Sequence, residues 1–433
     1  MSREMKDSGI EWIGAIPRSW NVRKVGAFFN IQLGKMLQPK QNGVNDTLEK
    51  YLCAANVGGN RLKLDYLKEM WFSETEKKSL QVRKGDLLVV EGGDIASCCI
   101  LDEELENVYI QNSLHCVRST AQQDVRILKY ILWCAKFRGY IDLICNKATI
   151  AHFSKEKFSS MPYIVIPQDD QTKIANFLDS QCNEIDSVLE RTRSSIEEYK
   201  KLKQAVITQA VTKGIRGKRP MKDSGVEWIG SIPEDWQVFR VANLYQEASD
   251  KGNDELPILT VSINSGVSDR ELSDEESERV FVRSEDRSKY KRVQPGDLVY
   301  NMMRAWQGAF GAVRVDGMVS PAYVVARPMK QLDSRYVEYL FRTPEAIEEM
   351  HRYSYGVADF RLRLYWPQFR NIRMCVPSYE EQVEIADYID SKVQEILALI
   401  KKKEQYLVEL ENYKKSLIYE YVTGKKEVPN HGV

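Results

Sequence analysis

Side chains that could support hydrolysis or metal binding occur in a few places, but their spacing matches no catalytic motif. Asp86 with Glu91, and Glu198 with Lys200, fit a nuclease pattern only as loosely as random sequence does. The sequence lacks GxxxxGK[ST] and GxGxxG phosphate loops, the HExxH metal motif and the Asn/Asp-Pro-Pro-aromatic tetrad of amino-methylating enzymes. Its eight cysteines include no CxxC pair, so we expect reduced, mostly buried thiols. The sequence predicts no active site and no metal site.

A second set of residues has the chemistry that reads nucleic acid. Arg and Lys bind guanine edges or phosphates, and Asn and Gln pair bidentately with adenine. Any one such residue is more often a solvated surface group, so the signal is weak residue by residue. The candidates in predicted loops are Lys35, Gln38, Lys40, Asn60, Arg61, Lys63, Lys147, His152, Ser154, Lys155, Arg304, Gln307, Arg361 and Arg363.

Composition limits the class of protein. Lys plus Arg and Asp plus Glu both number 62, so the net charge is zero. Such a chain is not coated in positive potential like a stand-alone, non-specific nucleic-acid binder, although it could share DNA contacts with a partner. No run approaches the roughly 20 apolar residues that span a bilayer, and the first residues lack a signal-peptide core. We therefore expect a cytoplasmic protein without a membrane segment.

The chain contains a tandem repeat. Residues 5–20 read MKDSGIEWIGAIPRSW and residues 221–236 read MKDSGVEWIGSIPEDW, with twelve of sixteen positions identical. Residues 82–87 correspond to residues 293–298 at a shift of 211. Residues 171–212 and 382–423 align at the same shift without an insertion, whereas residues 21–161 and 237–373 have mostly diverged. The repeat thus has end segments of fixed length and middle segments that are free to differ.

The end segments are predicted to be long helices. Each follows a proline, Pro167 or Pro377, and continues without glycine or proline to Gly214 or Gly424. At about 1.5 Å per residue each helix would be roughly 60 Å long. Apolar residues alternate at spacings of three and four, the pattern of a coiled-coil seam. The predicted seam is Ile174, Leu178, Ile185, Leu189, Ile196, Tyr199, Leu202, Val206, Ile385, Ile389, Ile396, Ile400, Leu407, Leu410, Tyr413 and Leu417.

Charge predicts how the two helices pair. Both begin acidic, and the first ends in a basic half from Arg191 to Lys213. Antiparallel pairing sets each acidic start against the more basic end of the other helix, whereas parallel pairing would set acid against acid. An exposed ion pair contributes only about 0.2–1 kcal/mol, so the seam supplies stability and charge selects orientation. The alternative is that each helix packs only on its own globular half, which leaves the equal lengths unexplained.

Between motif and helix, each copy reads as mixed α/β structure. Residues 86–90 and 297–300 are predicted strands that follow a glycine turn. Residues 127–137 and 335–341 are predicted short amphipathic helices. The sequence therefore predicts an α+β chain in which two mixed domains alternate with two long helices.

The repeated motifs resemble the DNA specificity subunits of type I restriction–modification systems. The carrying residues are the twin SGxEWIGxIPxxW openings at residues 8–20 and 224–236, and the helix starts at residues 167–179 and 377–390. The stretch MRAWQG at residues 303–308 followed by VSPAY at residues 319–323 is similar to target-recognition domains of that family. Copy one departs from the pattern where Asp170 replaces the usual Glu and where residues 112–115 stand for SPAY. The resemblance covers nearly the whole chain.

The resemblance implies two target-recognition domains joined by two long helices that form an antiparallel coiled coil, in a pseudo-twofold internal repeat. It places the domains at residues 1–166 and 215–376, the helices at 167–214 and 377–424, and a tail at 425–433. Each domain would read half of a bipartite site in double-stranded DNA, and Ser320 and Tyr323 join the candidate contacts. The helices would set the separation of the half-sites. They would also dock two methyltransferase subunits, which restriction subunits join.

The resemblance also implies that this chain does no covalent chemistry. S-adenosylmethionine, ATP and Mg would be bound by the partner subunits, which would flip out one adenine per half-site for methylation. This agrees with the missing motifs and with the zero net charge.

Two other classes of protein stay open. A self-contained restriction enzyme or methyltransferase with duplicated reader domains would need catalytic motifs. A coiled-coil scaffold that binds only proteins would need no reader-like loops. Intrinsic methylation would favour the first, and failure to retain specific DNA even with partners would favour the second.

Overall fold

The computed structural model describes residues 3–59, 61–145, 152–253, 255–272, 289–356 and 362–429. The chain forms two compact units. Unit one comprises Met1–Thr192 together with Gln405–Val433, and unit two comprises Arg193–Glu404. Unit one therefore contains both ends of the chain, and each long helix contributes one part to each unit.

Unit one contains thirteen described strands and four short helices before the first long helix. The strands are β1 Met5–Asp7, β2 Ala15–Pro17, β3 Asn21–Lys24, β4 Phe29–Leu33, β5 Thr47–Leu52, β6 Val57–Gly58, β7 Arg61–Leu62, β8 Lys68–Phe72, β9 Leu87–Val90, β10 Cys98–Ile100, β11 Val108–Ile110, β12 Leu114–Ser119 and β13 Pro162–Val165. The helices are α1 Glu74–Leu80, α2 Val125–Phe137, α3 Tyr140–Ile144, α4 Lys155–Ser160 and then the long α5 Gln168–Lys213. Short 3-10 turns cover Val25–Ala27 and Ala54–Asn56.

Unit two repeats most of this order in its described residues, with twelve strands and without a described counterpart of α1. The strands are β14 Met221–Asp223, β15 Ser231–Pro233, β16 Gln237–Arg240, β17 Tyr245–Ala248, β18 Val261–Ser262, β19 Gly266–Val267, β20 Lys291–Val293, β21 Leu298–Asn301, β22 Phe310–Ala312, β23 Gly317–Val319, β24 Tyr323–Pro328 and β25 Arg373–Val376. The helices are α6 Ser334–Phe341, α7 Pro344–Arg352, α8 Trp366–Phe369 and the long α9 Tyr379–Val422. Short 3-10 turns cover Val241–Asn243 and Ala305–Gln307.

The SGxEWIG motif folds into a hairpin that seats the end of a long helix. In unit one, β1 pairs with β2, and the backbone N–H of Ser8 donates to the Gly14 carbonyl at 3.1 Å. Gly14 has a φ of 68°, which L side chains rarely adopt. The buried rings of Trp12 and Trp20 share an apolar cluster with Tyr421 near the end of α9. The first motif of the chain therefore packs on its last helix.

The second motif does the same for α5 inside unit two. The N–H of Ser224 donates to the Gly230 carbonyl at 3.0 Å, as its counterpart does in unit one. Ile232 and Trp236 are buried in one cluster with Val211, two residues before α5 ends. The close similarity of the two motifs is explained because each packs against the end of a long helix.

A four-stranded antiparallel sheet is central to each unit. Its strand order is β10-β9-β12-β4 in unit one and β22-β21-β24-β17 in unit two. Unit one adds a three-stranded sheet, β11-β5-β8, over a second apolar cluster that includes Tyr51 and Phe72. Unit two adds the pairs β20–β23 and β18–β19. In both units the last strand before the long helix pairs with an early strand: β13 pairs with β3, and β25 pairs with β16.

The two long helices run antiparallel. In unit one the ring of Phe177 on α5 lies 4.5 Å from that of Tyr421 on α9. In unit two the Lys403 ammonium on α9 lies 5.6 Å from the ring of Tyr199 on α5. Residues further along α5 therefore contact residues nearer the start of α9, which confirms the predicted antiparallel pairing.

The α+β class and the main predicted elements are confirmed. Helix α5 begins one residue after Pro167, α9 begins two residues after Pro377, and both end before the glycines. Strands β9 and β21 are the expected strands, and α2 and α6 are the expected short helices. All eight cysteines are free; seven are buried and Cys53 is half-buried. The domain boundaries given by the resemblance stay predictions.

Candidate nucleic-acid interface

A cluster of polar side chains fixes α2 on α5 in unit one. Asp124 caps α2 by accepting from the Arg126 backbone N–H at 2.8 Å, and Gln171 Oε1 accepts from the Asp124 N–H at 2.8 Å. The Arg126 guanidinium lies 3.1 Å from the Asp179 carboxylate, to which the Tyr130 hydroxyl donates at 2.5 Å. We call these five residues the unit-one clamp. It connects the diverged middle segment to the long helix.

Unit two carries the same clamp. Asp333 caps α6 through the Arg335 N–H at 2.8 Å and receives support from Gln382 Oε1, 3.0 Å from its own N–H. Arg335 donates to Asp390 at 3.0 Å, and Tyr339 also bonds to Asp390. Sequence reasoning found the glutamine and the aspartate that each long helix contributes but missed their partners on the short helices. The signal was the repeated Asp-x-Arg-x-x-x-Tyr at the start of each short helix.

The aspartate of the repeated Gly-Asp turn before β9 and β21 forms a buried ion pair in each unit. Asp86 is buried, and Arg118 binds it with two nitrogens at 2.7 and 2.6 Å. In unit two Arg327 binds the fully buried Asp297 at 3.0 and 2.9 Å. The Asp86 carboxylate therefore has a structural role in the fold, which explains why an aspartate stands at this position without a nuclease motif around it.

Several candidate readers of unit one meet at one end of its central sheet, where β4 and β9 stop and β12 begins. We call this the loop end of unit one. The Lys35 N–H donates to the Ile110 carbonyl at 3.0 Å, and the Glu91 N–H donates to Ser113 at 2.9 Å. His152 Nδ1 lies 2.9 Å from the Glu91 carboxylate, and the His152 side chain is 54% exposed. The loop end therefore presents a histidine whose orientation a carboxylate holds.

The other candidates of unit one differ in accessibility. The Lys35 side chain is 9% exposed, with its ammonium 2.5 Å from Glu76, while Gln38 is half-buried and Lys40 exposed. Ser154 is half-buried and caps α4, whose first residue Lys155 is exposed. Exposed Arg61 and Lys63 lie in and beside β7, which pairs with β6 and not with a strand of the four-stranded sheet, while Asn60 and Lys147 lie outside the described residues.

The loop end of unit two is the corresponding end of its sheet, where β17 and β21 stop and β24 begins. It carries half-buried Arg304 and exposed Gln307 in the turn after β21, and half-buried Arg363, which pairs with Tyr355 through two backbone hydrogen bonds of 2.9 Å. The Tyr355 side chain is 64% exposed beside this guanidinium-bearing segment. Exposed Tyr and Arg are side chains that stack on or bond to bases.

The two remaining described candidates of unit two, Ser320 and Tyr323, are less accessible. Ser320 is half-buried, and its carbonyl accepts from the Tyr323 N–H at 2.9 Å. Tyr323 is 5% exposed, and its carbonyl accepts from the Lys291 ammonium at 2.8 Å. Burial lowers the pKa of Lys291. Arg361 lies outside the described residues.

One backbone hydrogen bond shows that the two loop ends are equivalent. The Phe153 N–H donates to the Glu91 carbonyl at 2.8 Å, and the Leu364 N–H donates to the Met302 carbonyl at 2.8 Å. Both residues of the second bond are those of the first shifted by 211. The scaffold is thus repeated at positions where the side chains beside it differ, with His152 in one unit and Arg363 in the other.

A buried histidine that the sequence did not single out supports this bond in unit one. His115 Nε2 lies 2.7 Å from the Phe153 carbonyl, and its ring packs edge-on against Phe158. Burial lowers the pKa of His115. It stands among apolar residues of β12, which was the available signal for a core histidine.

Ten of the sixteen predicted seam residues have buried side chains. Leu202 and Tyr413 are 48% and 54% exposed, while Tyr199, Val206, Leu407 and Leu410 are half-buried. The buried ones are Ile174, Leu178, Ile185, Leu189, Ile196, Ile385, Ile389, Ile396, Ile400 and Leu417.

Neither a metal site nor a membrane helix is found where the structure describes the chain. Within those residues, groups of three or more His, Cys, Asp or Glu side chains suited to a metal ion are absent. Among the same residues, every helix is too short or too polar to cross a bilayer.

Comparison with known proteins identifies the family. Residues 17–198 match the type I restriction modification DNA specificity domain. The chain is 24% identical over 442 residues to the type I restriction enzyme MjaVIII specificity subunit of Methanocaldococcus jannaschii, covering 96% of this chain and 95% of that protein.

Two solved structures share the fold. A chain from the work described as the structural basis of complex assembly and conformational transition of the type I R-M system matches with a TM-score of 0.65 and 13% identity, over 95% of this chain and 99% of that one. The HsdS subunit from Thermoanaerobacter tengcongensis matches with a TM-score of 0.53 and 13% identity, over 95% and 98%. The two solved structures share the fold, and the matches to the family domain and to the MjaVIII subunit make the chain a DNA specificity subunit of a type I restriction–modification system.

Proposed function

We propose that each unit of this specificity subunit reads one half of a bipartite DNA sequence through its loop end. The observation that carries the proposal is the equivalence of the two loop ends. The same hydrogen bond, clamp and sheet order recur in both units, while His152 and Glu91 stand in one unit where Arg363 and Met302 stand in the other. A constant scaffold with different polar tips is what two readers of different half-sites require.

The long helices are proposed to set the spacing of the half-sites and to dock two methyltransferase subunits. Support comes from apolar side chains that α9 leaves exposed. In unit one these are Tyr406, Val408 and Tyr413, at 46–58% exposure, and in unit two they are Leu397 and Leu399. Several large apolar groups exposed along one helix are typical of a protein-binding surface.

The chemistry is proposed to belong to the partners. Methyltransferase subunits would bring S-adenosylmethionine, and restriction subunits would bring ATP and Mg, while this chain supplies only the choice of site. Its zero net charge supports a division in which partner subunits provide many of the phosphate contacts. We expect the complex to act on DNA in the cytoplasm.

Mapping of methylated adenines in the source genome, with and without this gene, tests the proposal. We expect deletion to remove methylation at one bipartite motif. Replacing residues 21–161 by the equivalent segment of another family member should then change one half-site and leave the other half-site and the spacer unchanged. A change in both half-sites would contradict the assignment of one reader to each unit.

A further inference from the structure

A groove of about 660 Å³ opens on unit two beside the last turns of α5. Its walls include Lys201, Thr208, Thr212 and Lys213 from α5, and Pro344 and Glu345 from the start of α7. Thr208 is half-buried, and its hydroxyl accepts a hydrogen bond from Gln204 at 3.4 Å. The two lysines and Glu345 are exposed. We call this the unit-two groove.

The internal repeat shows what fills the corresponding position in unit one. Thr208 is equivalent to Tyr419 at the shift of 211 residues. The register is exact at this point, since the Thr212 hydroxyl donates to the Thr208 carbonyl at 2.7 Å and the Thr423 hydroxyl donates to the Tyr419 carbonyl at 2.6 Å. Unit one therefore has an aromatic ring where unit two has a small side chain.

Tyr419 is held tightly in unit one. Its hydroxyl donates to the Ile13 carbonyl at 3.0 Å. The Arg138 guanidinium and the Lys425 ammonium lie 5.1 and 4.3 Å from the ring centroid. Cations within about 6 Å of a ring face attract it. The position therefore suits an aromatic ring between positive groups.

We propose that the unit-two groove receives an aromatic side chain from a methyltransferase subunit, on a segment that also carries carboxylates. This inference rests on the proposed function, in which such subunits dock on this chain. The ring would lie where Tyr419 lies in unit one, and an aromatic residue that enters such a groove removes on the order of 150–250 Å² from water. Lys201 and Lys213 at the rim supply the cations that Arg138 and Lys425 supply in unit one.

The position of α7 favours a methyltransferase as the occupant. Pro344 and Glu345 at the start of α7 line the groove, while His351 near its end lies 5.5 Å, ring to ring, from Trp306. Trp306 belongs to the turn that carries Arg304 and Gln307 at the loop end. A methyltransferase must act next to the recognised bases. By binding in the groove it would contact the start of α7, while the end of α7 supports the loop that carries Arg304 and Gln307.

The inference also implies that the two docking positions differ. In unit one Tyr419 already occupies the position, so a partner bound there must be held by other contacts. Filling the unit-two groove should therefore weaken the binding of one methyltransferase and spare the other.

The test is Thr208→Tyr in the full-length chain, titrated with the methyltransferase subunit of its own system. Calorimetry gives the affinity at each site, and sedimentation velocity gives the stoichiometry. We expect two bound subunits for the wild type and a loss of at least tenfold in affinity at one site for the variant. Thr208→Ser, which leaves the groove open, is the matched control and should bind like the wild type.

A second variant keeps the test independent of folding. Lys201→Glu changes one exposed side chain at the rim, and it should weaken the same single site, because it repels the proposed carboxylates. Unchanged affinities in this variant and in a folded Thr208→Tyr protein would overturn the groove assignment while leaving the proposed function intact. A homodimer of the wild-type chain that Thr208→Tyr abolishes would overturn it as well. A wild-type chain that binds no methyltransferase would instead refute the proposed function.

Discussion

The hydroxyl of Tyr130 donates a 2.5 Å hydrogen bond to the carboxylate of Asp179, and this bond ties α2 to α5 inside unit one. Tyr339 bonds to Asp390 in the same way inside unit two. Each aspartate belongs to a long helix, and each tyrosine belongs to the middle segment that has diverged. Substitutions at loop ends can therefore change what is read while the clamp keeps each middle segment on its helix.

The clamp makes stability depend on pH. Burial by itself would raise the pKa of the Asp179 carboxyl, but Lys129, Tyr130 and Arg126 hold that pKa below its usual value. A carboxylate whose pKa is lowered in the folded state stabilises the fold above its unfolded pKa of about 3.9, and this contribution is lost as the pH falls through the folded pKa. We expect Asp179→Asn to lower the free energy of unfolding by about 1.5–3 kcal/mol at pH 7.

The measurement is urea unfolding of both proteins between pH 7 and pH 3. The difference between wild type and Asp179→Asn should shrink below about pH 4, because the Asp179 carboxyl of the unfolded wild type then takes up a proton while the folded one, whose pKa is lower, stays charged. Exposed Asp142 offers a control, since Asp142→Asn should leave the pH profile unchanged. A difference that is constant down to pH 3 would contradict the charged role of Asp179.

The buried Asp297 makes unit two sensitive to its arginine partner. Arg327→Ala would leave the Asp297 carboxylate buried without its bidentate partner, and breaking such a pair costs about 3–5 kcal/mol. Arg292→Ala is the control, because the Arg292–Asp316 pair is about half exposed and should contribute less than about 1 kcal/mol. Chemical denaturation followed by fluorescence of unit-two tryptophans measures both. Equal effects of the two substitutions would show that burial of the pair is unimportant.

The two loop ends should control separate half-sites. Arg363→Ala is expected to relax discrimination by about 1–3 kcal/mol at one position of one half-site, and His152→Ala should affect only the other half-site. Arg352→Ala, which removes a half-exposed side chain paired with glutamates, is the control for loss of charge alone. Methylation of a library of bipartite sites by the assembled complex gives the result. Loss of the same half-site in both variants would refute the assignment.

The helices should determine the spacer length. Inserting one heptad after Thr192 in α5 and one after Glu404 in α9 keeps the seam in phase and adds about 10 Å to each helix. At about 3.4 Å per base pair, the methylated motif should gain roughly three base pairs in its spacer and keep both half-sites. Insertion into α5 alone breaks the pairing and should reduce activity. An unchanged spacer in the double insertion would show that the helices do not set the distance.

The end of α9 should be essential to unit one, although it lies more than 200 residues from the rest of that unit in sequence. Tyr421 is buried against Phe177, so Tyr421→Ala should cost about 3–5 kcal/mol. Tyr413→Ala on the same helix removes a ring that is 54% exposed and should cost less than about 1 kcal/mol. Thermal unfolding compares the two. If Tyr413→Ala leaves stability intact but weakens methyltransferase binding, it also supports the docking surface on α9.

The sequence by itself determined the repeat, the two long helices with their bounds, their antiparallel pairing and the α+β class. These follow from local periodicity, proline and glycine stops and charge along single segments, which act through neighbouring residues and are therefore visible in one dimension. The family resemblance rested on the same repeated motifs, which had stayed constant because both copies must seat a helix end.

Tertiary structure alone decided which polar residues act together. Arg126 meets Asp179, and Glu91 meets His152, across 53 and 61 residues of chain, because strand order and helix packing bring them to one place. The exchange of Tyr419 for Thr208 likewise reads as a neutral difference until the groove around Thr208 is seen. Burial and partner choice depend on contacts distant in sequence, so even the repeated Asp-x-Arg-x-x-x-Tyr of the middle segments does not by itself reveal which residues it binds.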